Sequence, residues 1–269
     1  MRALLVIWMI ATPSLLLPET GPDATQVVAL IALFGALITL IEYSSNYPSL
    51  IEFRHAPPFN RVRFVSLFIT VFLLTIIARG RLEPTAMTEI ITSIGTIVGY
   101  AIDFPYSPVR NMILSLPTGS DPALMAAVRT AAGLSYLSSI VSLAIFVIII
   151  RLYQWPGRHG TFNVWVNLPI FDPTAGGDVV ERLNRDARFN IALGFLLPFI
   201  IPAVLKLAAE AFEPLSLASP QSLIWMVTVW AFLPSSLFMR GIAMGRVAQM
   251  IEDKRRQRYA EFGEEEALA

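Results

Sequence analysis

The sequence predicts an all-α, polytopic integral membrane protein with about six transmembrane helices, an amphipathic or re-entrant outer helix and a cytoplasmic C-terminal helix. Three observations predict it. Of 269 residues, 55% are hydrophobic and only 15% charged, with a mean hydropathy of +0.62; a soluble domain carries about 25% charged residues. The apolar residues come in blocks close to the roughly 20 residues, range about 17–25, that a helix needs to cross a ~30 Å hydrocarbon core. The basic residues are grouped between these blocks, not mixed through them. Helices suit such blocks because unpaired backbone groups in lipid cost several kcal/mol each, and the alternation of a barrel strand is absent.

The first block, 3–17, is short and carries Pro13. Met1-Arg2 before an apolar run also has the outline of a signal peptide, but no small-x-small site follows Leu17, so the segment is expected to be retained. The second and third blocks are 24–41 and 62–78; the fourth, 132–150, ends in an aliphatic run at Arg151. The fifth, 189–205, contains Pro198 and Pro202, and the sixth, 221–239, contains Pro234 and ends at Arg240. Together these form a transmembrane domain over 1–239, followed by a helical tail over 240–269.

Basic short loops mark the cytoplasmic side. Segment 42–63 holds Arg54, Arg61 and Arg63; segment 151–188 holds Arg151, Arg158, Arg182, Arg185 and Arg188. The tail adds Lys254, Arg255, Arg256 and Arg258. Segments 18–23 and 206–220 are acidic on balance and read as outside. Both termini are therefore expected in the cytoplasm, and 79–131 must leave and return on the outer side. Its apolar run, 85–102, is expected to stay there instead of adding a seventh span. Polar Thr85, Thr88, Glu89, Thr92, Ser93, Thr96 and Asp103 recur every three or four residues against Met87, Ile90, Ile94 and Ile97, the pattern of an amphipathic helix. Pro105, Pro108, Pro117 and Pro122 predict an irregular remainder with short helical turns. In 151–188, Asp178 is placed to cap a short helix from Val179 to Arg188, and Trp155 and Trp165 suit the headgroup level.

The chemistry on offer is sparse. Cysteine is absent, which excludes disulfides, thiolate catalysis and Cys-ligated metals. His55 and His159, the two histidines, fall in loops and not in spans, against a bis-histidine haem. There is no Gly-x-Ser-x-Gly elbow, His-Glu-x-x-His or P-loop, and no basic aromatic face for nucleic acid. No cofactor or metal is predicted; a bound lipid, quinone or pigment is compatible with the composition. Glu89, Thr92, Thr96 and Asp103 form a candidate polar intramembrane face, since ionisable groups in lipid are functional hypotheses. Arg54, Arg61, Arg63, Lys254, Arg255, Arg256 and Arg258 are candidate contacts for anionic lipid or a partner. Tyr43, Tyr47, Phe53 and Phe59 give the first of these loops an aromatic character suited to headgroups or a partner. Gly95 and Gly99, in a GxxxG match, are candidate helix-packing positions, with a second match at Gly241 and Gly245.

Only Lys206 and Lys254 of 20 basic residues are lysine, an Arg bias that fits a GC-rich bacterial genome and hence the bacterial inner membrane. The expected function is non-enzymatic: an accessory, assembly or scaffold subunit of a larger membrane complex, or a homo-oligomer. A small transporter or channel lined by Glu89, Thr92, Thr96 and Lys206 is the first alternative. A lipid-acting enzyme using Asp172, Asp178 or His159 is the second.

Overall fold

A computed structural model describes residues 1–18, 21–156, 162–172, 174, 176–211 and 219–268. Among these residues every regular element is a helix: α1 (Arg2–Leu16), α2 (Pro22–Ser44), α3 (Phe59–Gly80), α4 (Ala86–Ile102), α5 (Pro108–Leu114), α6 (Pro122–Leu152), α7 (Val164–Asn167), α8 (Val179–Ala211) and α9 (Pro220–Leu268). Five stretches, Asp23–Ser44, Phe59–Gly80, Pro122–Leu152, Val179–Leu207 and Pro220–Glu261, are long and apolar enough to cross a membrane. α1 and α4 are apolar but shorter. This is an all-α, multi-pass membrane architecture.

Two helices, α6 and α8, run past their expected bounds, each for a local reason, and α9 joins the sixth block to the helical tail. α6 starts ten residues before the fourth apolar block, because Asp121 caps it, accepting from Ala123 N at 3.0 Å, and Pro122 fills the first turn where no N–H is needed. The helix that Asp178 caps does not stop at Arg188 but continues as α8. α9 passes unbroken through Met239 and Arg240 for 49 residues, about 73 Å at 1.5 Å per residue. Its first turns beyond Arg240 belong to the core, since Ala243, Met244, Val247 and Ala248 are fully buried.

Two cores hold the bundle. At one end Val71, Leu74, Met112, Val128, Ile224 and Trp230 pack together; at the other Phe53, Phe59, Phe146, Trp155, Leu183 and Met244 do. The second contains or adjoins most of the arginines and is called the basic end below. The start of α3 and the end of α6 meet there, Phe59 edge-on to Phe146 with centroids 5.8 Å apart. α3 therefore ends, and α6 begins, at the opposite end.

α4 lies across those opposite ends. Gly80 of α3 faces Thr88, whereas Gly95 faces Ile77, so seven residues along α4 match three along α3. Against α6 the approach is backbone to backbone: a Cβ on Gly133 would lie 2.4 Å from Gly99 Cα, and one on Gly95 would lie 2.9 Å from Thr130 Cγ2. Small residues permit such contact where van der Waals packing must drive association. Part of the polar face thus turns inward, while Glu89 and Ser93 stay exposed. The Gly/Thr stripe faces protein, while Met87, Ile90, Ile97 and Tyr100 are exposed.

The prolines are accommodated within the bundle. Pro202 lacks the N–H that would bond Pro198 O in α8; Trp230 Nε1 donates to that oxygen instead, at 3.0 Å. On α9, Ser139 Oγ donates to Ala231 O at 2.9 Å, one turn before Pro234. Gly194 and Gly241 let α8 and α9 close to backbone contact, with Pro234 O and Ala187 O within 3 Å of where a Cβ would stand.

Gly133→Val should destabilise the protein by about 1–3 kcal/mol, the usual cost of overpacking, seen as a lower melting temperature in mild detergent. Gly176→Ala, where a Cβ meets nothing within 4 Å, should leave it unchanged.

Candidate functional site

The densest arrangement of charge and hydrogen bonding lies at the basic end and is built on the segment between α2 and α3. α2 brings Glu42 to its last turn. The carboxylate accepts from Ser49 N, Leu50 N at 2.9 Å and Ile51 N at 3.0 Å, and from Ser49 Oγ at 2.7 Å. Three consecutive amides converging on one carboxylate fold the chain back beneath the helix. Arg54 then closes the α2 terminus: its Nη1 donates to Glu42 O and to Ser45 O at 2.6 Å, carbonyls that a helix end leaves without intrahelical partners. Its Nε donates to His55 Nε2 at 3.0 Å.

Glu52 comes next and is buried. It takes both arms of Arg240 from α9, Nε to Oε2 at 2.6 Å and Nη2 to Oε1 at 2.7 Å. This bidentate pair joins residues 188 apart. Phe53 follows with φ of 52°, a left-handed conformation that costs a bulky residue about 1–3 kcal/mol. Its surroundings hold it there. Phe53 N donates to Asn167 O at 2.6 Å, His55 N donates to Asn167 Oδ1 at 3.0 Å, and the ring packs on Phe59, Trp155 and Phe162 at 4.4–6.4 Å. Residues 45–58 are therefore a folded plug tied to α2, α9 and the 162–171 segment.

This arrangement alters the reading of the aromatic/Arg loop. Phe53, Phe59 and Trp155 are core residues, not headgroup anchors, while Tyr47 and Trp165 stay exposed. Arg54 is buried on carbonyls and does not face a lipid surface. Arg61 is exposed and Arg63 half-buried, its guanidinium 5.0 Å from the Phe59 ring centroid.

The candidate polar face on α4 separates into three environments. Thr96 shares a hydrogen bond with Thr130 across the α4–α6 contact at 3.1 Å, and Thr92 is half-buried. Asp103 ion-pairs with Arg110 and Arg129, both at 2.7 Å, and Arg129 also lies over the Tyr100 ring. Glu89 is exposed and apart from both. Lys206 is exposed on α8. Gly95 and Gly99 stand against α6 as described above.

In the tail, Arg256 bonds Glu252 one turn earlier, and Arg255 reaches Asp178 at 2.8 Å, linking α9 to the start of α8; Lys254 and Arg258 are exposed. The Arg255 hydrogen bond, helped by Val180 N, holds the Asp178 carboxyl below its ordinary 3.8. A depressed carboxyl contributes stability above its ordinary value and loses it as pH falls below that value; here the pair is solvent-screened and the contribution small. Asp172 accepts from Thr174 and Arg182, so it belongs to a turn. His159 lies outside the described residues. Among the described residues no three His, Asp or Glu side chains gather as a metal site would require.

Compared with protein-family models, curated proteins and solved structures, the chain matches none.

Sequence reasoning missed Glu52 as a structural centre. The available signal was its isolation. Glu52 is the single acid between Ile51 and Phe53 in a basic loop, and a lone charge among apolar residues must be paired.

Glu52→Gln should cost about 1–3 kcal/mol, because half-buried Arg240 then loses its bidentate partner. The Glu52→Gln/Arg240→Gln double variant should lose clearly less than the sum of the singles. Thermal unfolding in mild detergent reads both; additive losses would show that the pair is uncoupled.

Proposed function

We propose that the chain is a non-enzymatic integral subunit of the bacterial inner membrane, an accessory, assembly or scaffold element of a larger membrane complex. In this reading it crosses six times, α1 included, with α4 held at the outer face and both termini cytoplasmic.

The observation that carries the proposal is the state of α2. In its most apolar stretch only 11% of the residues are buried inside the protein, against 44% in α3 and 56% in α9. It packs chiefly on α1, through Ala32, Gly35 and Ala36, and leaves Leu30, Leu33, Phe34, Leu37 and Ile41 exposed. Yet its end is fixed, by Glu42 below and Arg54 across its last carbonyls. A helix held in one orientation, with α1 as its chief neighbour and its other face bare, is a presented surface. Its natural occupant is a transmembrane helix of another integral subunit. The ionisable side chains buried in the bundle support the same reading, since Glu42, Glu52, Arg54, Arg240, Asp103 and Arg129 all hold elements together.

A photo-crosslinking residue at Leu33, Phe34 or Leu37 should yield one discrete adduct with a different membrane protein in cells. The same probe at Ile140 or Ile145, exposed on α6, should not. Equal labelling from both helices, or an adduct with the chain itself only, would overturn the proposal.

A further inference from the structure

Between α1, the end of α2, the start of α3 and the plug lies a cavity of about 830 Å³. That is within the range of pockets that enclose small molecules, about 300–1,000 Å³. Its walls are of two kinds. Leu5 and Val6 of α1, with Phe64 and Val65 of α3, make an apolar side, and Leu5 and Val65 are exposed where the cavity opens between the helices. Arg2, Arg61 and Arg63 make the other side.

No aspartate or glutamate lines it among the described residues. The two carboxylates nearest in the chain are already committed: Glu42 to the amides of residues 49–51, Glu52 to Arg240. Arg54 also touches the cavity but is used by carbonyls. None of the other three guanidiniums forms an ion pair among the described residues; the acid whose charge reaches Arg63 is Glu52, already held by Arg240. Arg2 lies 4.0 Å from the Tyr43 ring centroid, and Arg63 lies near Phe59. Arg63 Nε is buried with no acceptor. Three cations on one cavity, one with a buried donor unused, have no acid bonded to them.

We infer that this cavity binds one anionic phospholipid, its phosphate between Arg2, Arg61 and Arg63 and its acyl chains along Leu5, Val6, Phe64 and Val65. Guanidinium forks match phosphate oxygens two at a time. A soluble phosphate would satisfy the cations but not the apolar wall, and a zwitterionic lipid would fill the wall but carry a compensating ammonium to the cations. The site rests on the membrane placement proposed above and not on a partner subunit, so failure of crosslinking at α2 leaves it intact.

The test is native mass spectrometry of the full chain in mild detergent, titrated with phosphatidylglycerol, phosphatidylcholine or inorganic phosphate. One phosphatidylglycerol per chain should be retained at about tenfold lower concentration than phosphatidylcholine, the worth of one charge-assisted hydrogen bond. Arg2→Gln/Arg61→Gln/Arg63→Gln should abolish the preference. Arg61→Gln alone, at an exposed and tolerant position, should weaken it by several-fold. Lys254→Gln/Arg258→Gln in the tail should leave it unchanged. Equal retention of the two lipids would overturn the inference, as would a preference that survives the triple variant or moves with the tail. Complete displacement by inorganic phosphate would assign the cations to a soluble anion and overturn it too.

Discussion

A charge carried into an apolar surrounding must find a partner, because desolvation costs several kcal/mol per ion and only a close counter-charge returns it. At the basic end of this bundle that constraint organises the chain. Glu52 is buried among Phe53, Phe59 and the inner part of α9, and Arg240 meets it with two hydrogen bonds. For the pair to form, residues 45–58 must fold inward. Folding inward requires Glu42 to collect three amides and Arg54 to seal the end of α2. The aromatic core of Phe53, Phe59, Phe146 and Trp155 then closes around it. Helices widely separated in sequence are fixed by one short segment, which is why its polar atoms are so fully used.

The opposite end is held by another means. There α4 lies on α3 and α6 through Gly80, Gly95, Gly99 and Gly133, where the lack of a side chain lets backbones touch. Polar groups contribute locally, in Thr96 with Thr130 and Asp103 with Arg110 and Arg129. Charge thus fixes one end and close packing the other. The five long helices between them expose much apolar surface, and α2 the most.

Much of the helical skeleton was legible from the apolar blocks, because their length is set by the thickness of the bilayer and the cost of exposing backbone in it. The geometry of α4 was half legible. Its periodicity marked a helix with two faces, but a period does not say which face meets protein, and here Thr88, Gly95 and Gly99 of the polar side do. The helical tail of α9 was legible; the lengths of α6 and α8 were not, because Asp121 and Pro122 can start a helix well before its apolar stretch and nothing directly after Arg188 breaks one. The plug was invisible for a different reason. Glu52 and Arg240 are 188 residues apart, and no local pattern pairs them. A loop rich in aromatic and basic residues reads equally as a surface for headgroups and as a buried knot, and only the contacts of Asn167, Trp155 and Arg240 distinguish the two.

The central claim is that residues 45–58 are a folded plug and not a solvated loop. Amide hydrogen exchange on the intact protein tests it most directly. Ser49, Leu50, Ile51 and Phe53 donate to Glu42 and Asn167, so their amides should exchange as slowly as those within α3. Exchange of the 49–53 peptide as fast as that of an exposed, unbonded loop would contradict the account.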